Sequence, residues 1–208
     1  MTTSRDHVLA RVRRNQPAWR ELPALPDFAR QLADPLAAFA AALRRMGGIL
    51  ADTPTSGTLD ELVRARFPDA AVICSATAEV EGTRRIDAVR HPGDLDDVDV
   101  GVVRAVFGVA ETGSVWLSER ELGVNALAFL SQHLVVLLDP TAIVATLHDA
   151  YRHRGFHEAR YAVLMTGPSA TADIEGVLIR GAQGIRSLTV IPVAAAGAGA
   201  SINERRSA

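Results

Sequence analysis

The 208-residue sequence balances 22 Lys and Arg against 24 Asp and Glu, a net charge of −2, and only 5% of its residues are aromatic. This charge and the scarcity of aromatic side chains argue against nucleic acid or an anionic membrane as a partner. The opening MTTSRDH is too charged for a signal peptide, and no apolar run approaches about 18 residues, so we expect a cytoplasmic protein without a membrane span.

The first third of the chain predicts an arm followed by helices. A short amphipathic helix is predicted over residues 4–14, and three prolines make residues 15–33 an extended arm or linker. Asp34-Pro35 is typical of a helix start, and we expect that helix to end at Gly47-Gly48. The capping box TLDE, residues 58–61, begins a third helix.

The rest of the chain alternates apolar strands with helices. Strands are predicted over residues 70–75, 100–109, 114–118, 133–138, 161–166 and 188–193. Helices are predicted over residues 140–154 and 171–182, and the turn ETG at 111–113 forms a hairpin. Continuous apolar strands separated by helices are typical of a parallel sheet covered on both faces.

The predicted fold class is therefore α/β, a three-layer α/β/α sandwich with a mostly parallel sheet and one antiparallel hairpin at its edge or centre. Three parts are expected along the chain. An N-terminal helix and proline-containing arm occupy residues 1–33, the α/β domain residues 34–193, and a mobile low-complexity tail residues 194–208.

Cys74 is the only cysteine and lies in the apolar run AVICS. One thiol cannot form a disulfide within the chain, nor the thiolate set of a zinc or iron–sulfur centre. We therefore expect no cofactor on this chain, and a small buried side chain at Cys74.

The first candidate site is GPSATADIEG, residues 167–176, which follows the predicted strand 161–166. In open α/β sheets, ligands bind beyond the carboxyl ends of strands. Two interpretations remain open. Ser169 or Thr171 caps a helix whose first turn carries Asp173, or the amide groups of this loop hold an anionic substrate that Asp173 helps to fix.

The second candidate is Glu111 within FGVAETGSV, residues 107–115. A carboxylate on a turn flanked by Gly108 and Gly113 is either solvated or presented as a nucleophile or general base. We expect this turn and the 167–175 loop to border a common hollow.

The histidines give only weak indications of a metal or catalytic site. His148, His153 and His157 lie near the end of a predicted helix, and no acid or cysteine completes a metal-binding spacing, so we expect no metal site. His133 precedes a buried strand and is either structural or catalytic.

The motifs FGVAETGSV (107–115), HLVVLLDPTAIV (133–144) and GPSATADIEGVLIRGAQG (167–184), in this order, resemble the LUD domain family, in its lactate utilization protein C branch. The resemblance implies the sugar-isomerase, ribose-phosphate-isomerase and CoA-transferase-like superfamily fold. It also implies a role in oxidising L-lactate to pyruvate, with two partner proteins, one of which carries iron–sulfur clusters.

The resemblance supplies motif positions rather than established roles. Glu111 is the catalytic candidate, because the superfamily includes acyl transfer through a glutamyl thioester. Gln183 and Ile185 depart from the His and Pro that are common at those positions. The substrate-binding candidates are Thr112, Gly113, His133, Gly167, Ser169, Thr171, Asp173, Glu175 and Gly184, with Pro168 in the same motif.

Three hypotheses about function follow. The chain is an accessory non-redox subunit of an L-lactate oxidation system, with an iron–sulfur protein as partner. Alternatively it is a binding protein or enzyme for a small organic acid or an acyl carrier, or it is purely an interaction module that uses its basic residues and arm. Homo-oligomers are compatible with each hypothesis.

Overall fold

The computed structural model describes residues 3–24, 26, 31–53, 56–173, 176–181 and 183–195, so most of the predicted tail lies outside the described residues. Three single-turn 3-10 helices accompany the α-helices, over Ile86–Ala88, Pro92–Leu95 and Pro140–Ala142. The α-helices are α1 Ser4–Arg14, α2 Pro35–Arg45, α3 Leu59–Arg66, α4 Glu119–Leu122, α5 Leu127–Leu130, α6 Leu147–Tyr151 and α7 Gly155–Glu158.

Twelve strands are described, in three sheets. They are β1 Ile49–Leu50, β2 Ile73–Ser75, β3 Arg84–Arg85, β4 Val100–Arg104, β5 Phe107–Val109, β6 Ser114–Ser118, β7 His133–Leu138, β8 Ile143–Val144, β9 Ala162–Met165, β10 Ala170–Thr171, β11 Ile179–Arg180 and β12 Ser187–Pro192.

The central sheet has six strands in the order β1-β12-β7-β4-β2-β3, and every pair in it is parallel. The α/β fold with a mostly parallel sheet is thus confirmed. All six strands begin at one edge, which we call the amino edge, and finish at the opposite carboxyl edge. His133 and Ser187 are paired at the amino edge, and Leu138 and Pro192 at the carboxyl edge.

Both faces of the central sheet are buried, which explains the uninterrupted apolar sequence of its strands. In β7, Leu134 and Val136 belong to a core shared with Phe39 and Leu43 of α2. The alternate residues of the same strand, Val135 and Leu137, belong to a second core with Val63 of α3. Because each such side chain contributes about 1.5–3 kcal/mol on burial, β7 and its neighbours anchor the fold.

The predicted hairpin is present but lies in a second sheet, in the order β8-β5-β6-β9. The predicted strand 100–109 is therefore two strands. β4 ends at Arg104, Ala105 donates its N–H to the carbonyl of Leu137, and Val106 already donates to Trp116 of β6. The predicted strand 161–166 also joins this sheet, where β9 pairs antiparallel with β6. One face of the second sheet packs on the first core and the other on α6 and α7.

The single helix predicted over residues 140–154 is wrong. Asp139 caps a 3-10 turn, β8 then pairs parallel with β5, and α6 starts afresh at a Thr146–Asp149 capping box. Ile143 and Val144 are β-branched and pair readily as a strand, so tertiary pairing overrides the helical periodicity.

The helix predicted over residues 171–182 is also wrong. β10 and β11 form a two-stranded antiparallel ribbon, in which Ala170 pairs with Arg180 and Thr171 with Ile179. Gly176 has φ +72°, a conformation that reverses the chain and that a helix does not tolerate. The described residues on either side of positions 174–175 form strands, so no helix N-terminus with free amide groups is found among them.

The predicted N-terminal boundaries of α2 and α3 are confirmed. Asp34 Oδ1 accepts from the N–H of Ala37 at 2.9 Å, and Thr58 and Glu61 form a reciprocal capping box. No side chain of α1 is buried. Within the described ranges, no helix has the length and apolar character needed to cross a bilayer.

Candidate functional site

A cavity of about 490 Å³ opens at the carboxyl edge, between the ends of β2 and β4. From β2 the chain continues to β3, at the outer edge of the central sheet, whereas from β4 it continues to β7, towards the middle of the sheet. The connections that follow β2 and β4 therefore run in opposite directions, and open α/β sheets bind ligands at such a switch point. We call this cavity the Arg104 cleft; its walls include Thr77, Arg104, Arg120 and Glu121.

Arg104, the last residue of β4, places its guanidinium in the wall of the cleft. Its Nε donates to Glu79 Oε1 at 2.5 Å and its Nη1 to the carbonyl of Val193 at 3.1 Å. Its Nη2 is buried and has no hydrogen-bond partner in the described part of the chain. An unsatisfied buried donor costs about 1–3 kcal/mol, more when it is charged, so Arg104 is suited to receiving an additional acceptor.

The loop after β2 holds Glu79 in place. Thr77, which is 6% exposed, donates its hydroxyl to Glu79 Oε2. The guanidinium of Arg85 donates to the carbonyls of Thr77 and Val80, and Ser75 Oγ donates to the same Thr77 carbonyl at 3.0 Å. Arg104 binds the Glu79 carboxylate and Arg85 binds the carbonyls of the same loop. This cluster of two guanidinium groups and one carboxylate carries a net positive charge that favours an anionic ligand.

Asp139, which follows β7 at the carboxyl edge, accepts hydrogen bonds from two segments at that edge. Its Oδ2 accepts from the N–H of Ala195 at 2.9 Å, and its Oδ1 accepts from the N–H and the hydroxyl of Thr141. The hydrogen bond from Ala195, those from Thr141 and the positive charge of Arg104 hold the pKa of this carboxyl below its usual range. Asp139 thus anchors the segment whose last described residue, Ala195, borders the Arg104 cleft.

A larger groove of about 780 Å³ shares Val106, Arg120 and Glu121 with the cleft. Trp116 forms part of its wall; this residue is 2% exposed, and its indole N–H has no partner among the residues described. The ring of Phe107 stacks on Trp116 with the centroids 5.4 Å apart. The site therefore extends from a cationic cleft to an aromatic wall.

Glu111 lies away from this cleft. It sits on the turn between β5 and β6, and its Oε2 accepts from the N–H of Leu147, the first residue of α6, at 2.9 Å. The N–H of Glu111 donates to the carbonyl of Ala145. Glu111 therefore acts as a cap for α6 in this structure, although its side chain is exposed.

Thr112, Gly113 and Gly167 do meet, as the hypothesis of a shared hollow requires, but they meet in a packed junction. Thr112 Oγ1 lies 2.7 Å from Ser114 Oγ, which lies 2.5 Å from Thr166 Oγ1. Gly113 lies against α2, since a Cβ there would be 2.1 Å from the backbone nitrogen of Leu43.

Gly167 closes the same junction from the other side. A Cβ at Gly167 would be 2.4 Å from the carbonyl oxygen of Met46, at the end of α2. The backbone of α2 therefore fills the space between the two turns, and the Gly113 turn and the Gly167 turn both pack against that helix.

The remaining motif residues form the base and loop of the β10–β11 ribbon. Ser169 donates its hydroxyl to the carbonyl of Gln183, and a Cβ at Gly184 would lie 3.2 Å from Ser169 Cβ. The hydroxyl of Thr171 accepts from the N–H of Asp173 at 3.5 Å, in a turn rather than a helix cap. Glu175 lies outside the described residues.

These motif residues lie at the amino edge of the central sheet, not at the carboxyl edge. The N–H of Ser169 donates to Ile185, just before β12, and Gly167 contacts the residues just before β1. His133, the first residue of β7, lies there too, with Nδ1 2.7 Å from Ser187 Oγ. The described contacts link His133 to Ser187 and Glu111 to Leu147, so they do not join these two residues to each other.

Sequence reasoning missed Arg104 and Glu79. A signal was available, because Arg104 ends the apolar run VGVVR and a charge at the end of a buried parallel strand points to the ligand edge. The predicted strand continued to Val109, which placed Arg104 inside it and concealed this signal.

The described residues contain no group of three or more His, Cys, Asp or Glu side chains that could hold a metal ion. Cys74 is fully buried, and burial raises the pKa of its thiol. The donor set therefore does not fit an iron–sulfur cluster or a zinc ion within the described chain.

Comparison with known proteins identifies relatives. A family model described as LUD domain matches residues 92–193, which include β4 to β12. Lactate utilization protein C of Deinococcus radiodurans is 30% identical over 103 residues, which are 48% of this chain and 49% of that protein. The match therefore spans about half of the relative's length.

A solved structure shares the fold. The crystal structure of a DUF162 family protein from Deinococcus radiodurans matches with a TM-score of 0.58 and 17% identity. The match covers 76% of this chain and 96% of that chain. The α/β arrangement described above is therefore found in a solved structure.

Proposed function

We propose that this chain, whose residues 92–193 match the LUD domain family, serves L-lactate utilization as an accessory, non-redox subunit. The process in this proposal, lactate utilization, is taken from the name of the relative from Deinococcus radiodurans. The sequence has one cysteine, which is why we assign the iron–sulfur clusters to a partner protein.

In this proposal the Arg104 cleft binds the carboxylate of lactate or of its product, pyruvate. The unpartnered Nη2 of Arg104 carries the proposal, since a carboxylate oxygen is the acceptor that a guanidinium N–H pairs with most strongly. The side chain of Arg120, 66% exposed on the cleft wall, is a second cation for the same anion. Oxidation of lactate to pyruvate releases two electrons and two protons. In this proposal the clusters of the partner would accept the electrons, and the part of this chain is to hold the carboxylate at Arg104.

Arg104→Gln tests the binding step. We expect calorimetry on the full chain to show affinity for L-lactate and pyruvate reduced about tenfold or more, because one charged hydrogen bond contributes about 1.5–3 kcal/mol. Arg90→Gln removes an exposed charge outside the cleft and is the matched control. Undiminished lactate binding by Arg104→Gln contradicts the assignment, as does the absence of saturable binding to the unaltered protein.

Affinity purification from cells growing on lactate tests the accessory role. We expect the full chain to recover an iron–sulfur protein, and its deletion to impair growth on lactate but not on glucose. Unimpaired growth of the deletion strain on lactate would remove this role while leaving the cleft open to another organic acid.

An acyl carrier is the second candidate ligand. The shared wall at Val106, Arg120 and Glu121 connects the cleft with the groove beside Trp116, and the combined space greatly exceeds a lactate ion. Titration with coenzyme A distinguishes the two candidates. Binding of coenzyme A that quenches Trp116 fluorescence and depends on Arg120 favours the carrier, and binding of lactate alone favours the organic acid.

A further inference from the structure

We infer that the amino edge carries a second anion site, built from Arg66, His133 and Arg186, that takes a small oxyanion. These residues surround a cavity of about 270 Å³. The length of β4 separates this cavity from the Arg104 cleft by about 16 Å, at about 3.3 Å per residue. The site is therefore distinct from the Arg104 cleft and does not depend on the proposed function.

The imidazole of His133 is fixed with one nitrogen already engaged. Its Nδ1 lies 2.7 Å from Ser187 Oγ, and its ring centroid lies 4.9 Å from that of Phe67. The hydroxyl and the ring thus set the orientation of the imidazole. Nε2 is the nitrogen left for a ligand.

The two guanidinium groups retain unused donors. Arg66 donates from Nε to Thr189 Oγ1 at 3.3 Å, which leaves its terminal nitrogens. The guanidinium of Arg186 makes no hydrogen bond or ion pair with the part of the chain that the structure describes. Planar guanidinium donors match the oxygens of carboxylate, phosphate and sulfate.

Two carboxylates border the same cavity, and one is already bound. Asp99 Oδ2 accepts from the N–H groups of Ala71 and Val72, at 2.8 and 2.9 Å. Asp69 is exposed at the rim. These hydrogen bonds occupy the Asp99 oxygens but leave its negative charge, so the two carboxylates balance the two arginines while His133 is neutral. Protonation of His133 gives the cavity the net positive charge that an added anion neutralises.

The protonation of His133 should respond to such an anion. Burial lowers the pKa of His133, the charge of Arg186 lowers it further, and Asp99 opposes both effects. An anion between Arg186 and His133 screens Arg186 and stabilises the imidazolium, so binding raises this pKa and takes up a proton. Affinity should consequently increase as the pH falls.

The test follows the His133 ring resonances by NMR in the full chain, titrated with sodium sulfate at constant ionic strength. Sulfate keeps its charge across the titration range of histidine. We expect a saturable shift, a raised His133 pKa, and tighter binding at about pH 5.5 than at about pH 7.5. Parallel titrations with phosphate and L-lactate show whether a tetrahedral oxyanion or a carboxylate is preferred.

Arg66→Gln and Arg186→Gln should each weaken sulfate binding about tenfold or more. Both residues are exposed, so the variants are expected to fold, which circular dichroism checks. Arg64→Gln, on the same helix as Arg66 and outside the cavity, is the matched control.

The variant Arg104→Gln shows whether sulfate binds at the amino edge or in the Arg104 cleft. Sulfate binding that survives Arg104→Gln and fails in Arg186→Gln supports the inference whether or not lactate binds at Arg104. An absence of saturable binding overturns it, as does sulfate binding that depends on Arg104 and not on Arg186.

Discussion

Arg104 Nε lies 2.5 Å from Glu79 Oε1 across the carboxyl ends of two neighbouring strands, from residues 25 positions apart in the sequence. Each side chain retains some exposure, 21% for Arg104 and 27% for Glu79. The ion pair is therefore partly screened by solvent and contributes on the order of 1 kcal/mol. Its main effect is to position the guanidinium and limit the positive charge of the Arg104 cleft.

Glu79→Gln should lower stability slightly and increase the affinity of the cleft for a carboxylate. The substitution removes the negative charge that competes with an anionic ligand for Arg104, while an amide oxygen still accepts a hydrogen bond. Urea unfolding should show a loss of about 1 kcal/mol, and calorimetry with pyruvate a lower Kd. Glu81→Gln, an exposed residue nearby, should change neither; weaker pyruvate binding in Glu79→Gln would contradict this account.

Gly113→Ala should be strongly destabilising, because Gly113 combines φ +70° with contact against the backbone of α2. An added Cβ would lie 2.1 Å from the Leu43 nitrogen, so α2 or the turn must shift, at about 3 kcal/mol or more with the backbone strain included. Gly176→Ala is the control, with φ +72° and no described atom within 4 Å of its Cβ, and should lose only about 1 kcal/mol. Equal losses in thermal unfolding would show that the α2 contact contributes nothing.

His133 should make the protein less stable in mild acid. Burial and Arg186 lower its pKa in the folded state, so the unfolded chain, with a value near 6.5, binds the proton first as the pH falls. Stability is thus lost below about pH 6.5 until the folded-state pKa is reached. In His133→Gln, the free energy of unfolding should fall less between about pH 7.5 and 5.5 than in the unaltered protein; an equal fall in both would contradict this account.

Glu111→Gln should leave both stability and growth on lactate nearly unchanged. Glu111 Oε2 accepts from the Leu147 N–H, and the amide oxygen of Gln accepts the same bond, so the loss should be smaller than the about 0.5–2 kcal/mol of removing a capping side chain altogether. Complementation of a deletion strain measures growth, and the melting temperature controls for folding. Lost growth with an unaltered melting temperature would instead establish the carboxylate as a reacting group.

The sequence predicted well those elements that local chemistry determines. The strand predicted over residues 133–138 matches β7 because His133–Leu138 is apolar on both faces, as a central parallel strand requires. The helix beginning at Asp34 and the one beginning at Thr58 were equally predictable, since each carries its own capping side chain.

The errors lie where partners distant in sequence decide the structure. Ile143 and Val144 become a strand because Gly108 and Val109 are available beside them. Residues 170–180 become a ribbon because Gly176 reverses the chain and Thr171 pairs with Ile179. The same non-local pairing moves the hairpin into a second sheet and leaves Arg104, rather than Glu111, at the end of a central strand.

The hydrogen bond between Asp139 and Ala195 has a practical consequence for protein engineering. It holds Ala195 against the wall of the Arg104 cleft, although the two residues are 56 positions apart in the sequence. A truncation before residue 193 would remove the Ala195 N–H that Asp139 binds and the Val193 carbonyl that Arg104 binds. Shortened versions of the protein should therefore retain residues 193–195 if the cleft is to be kept intact.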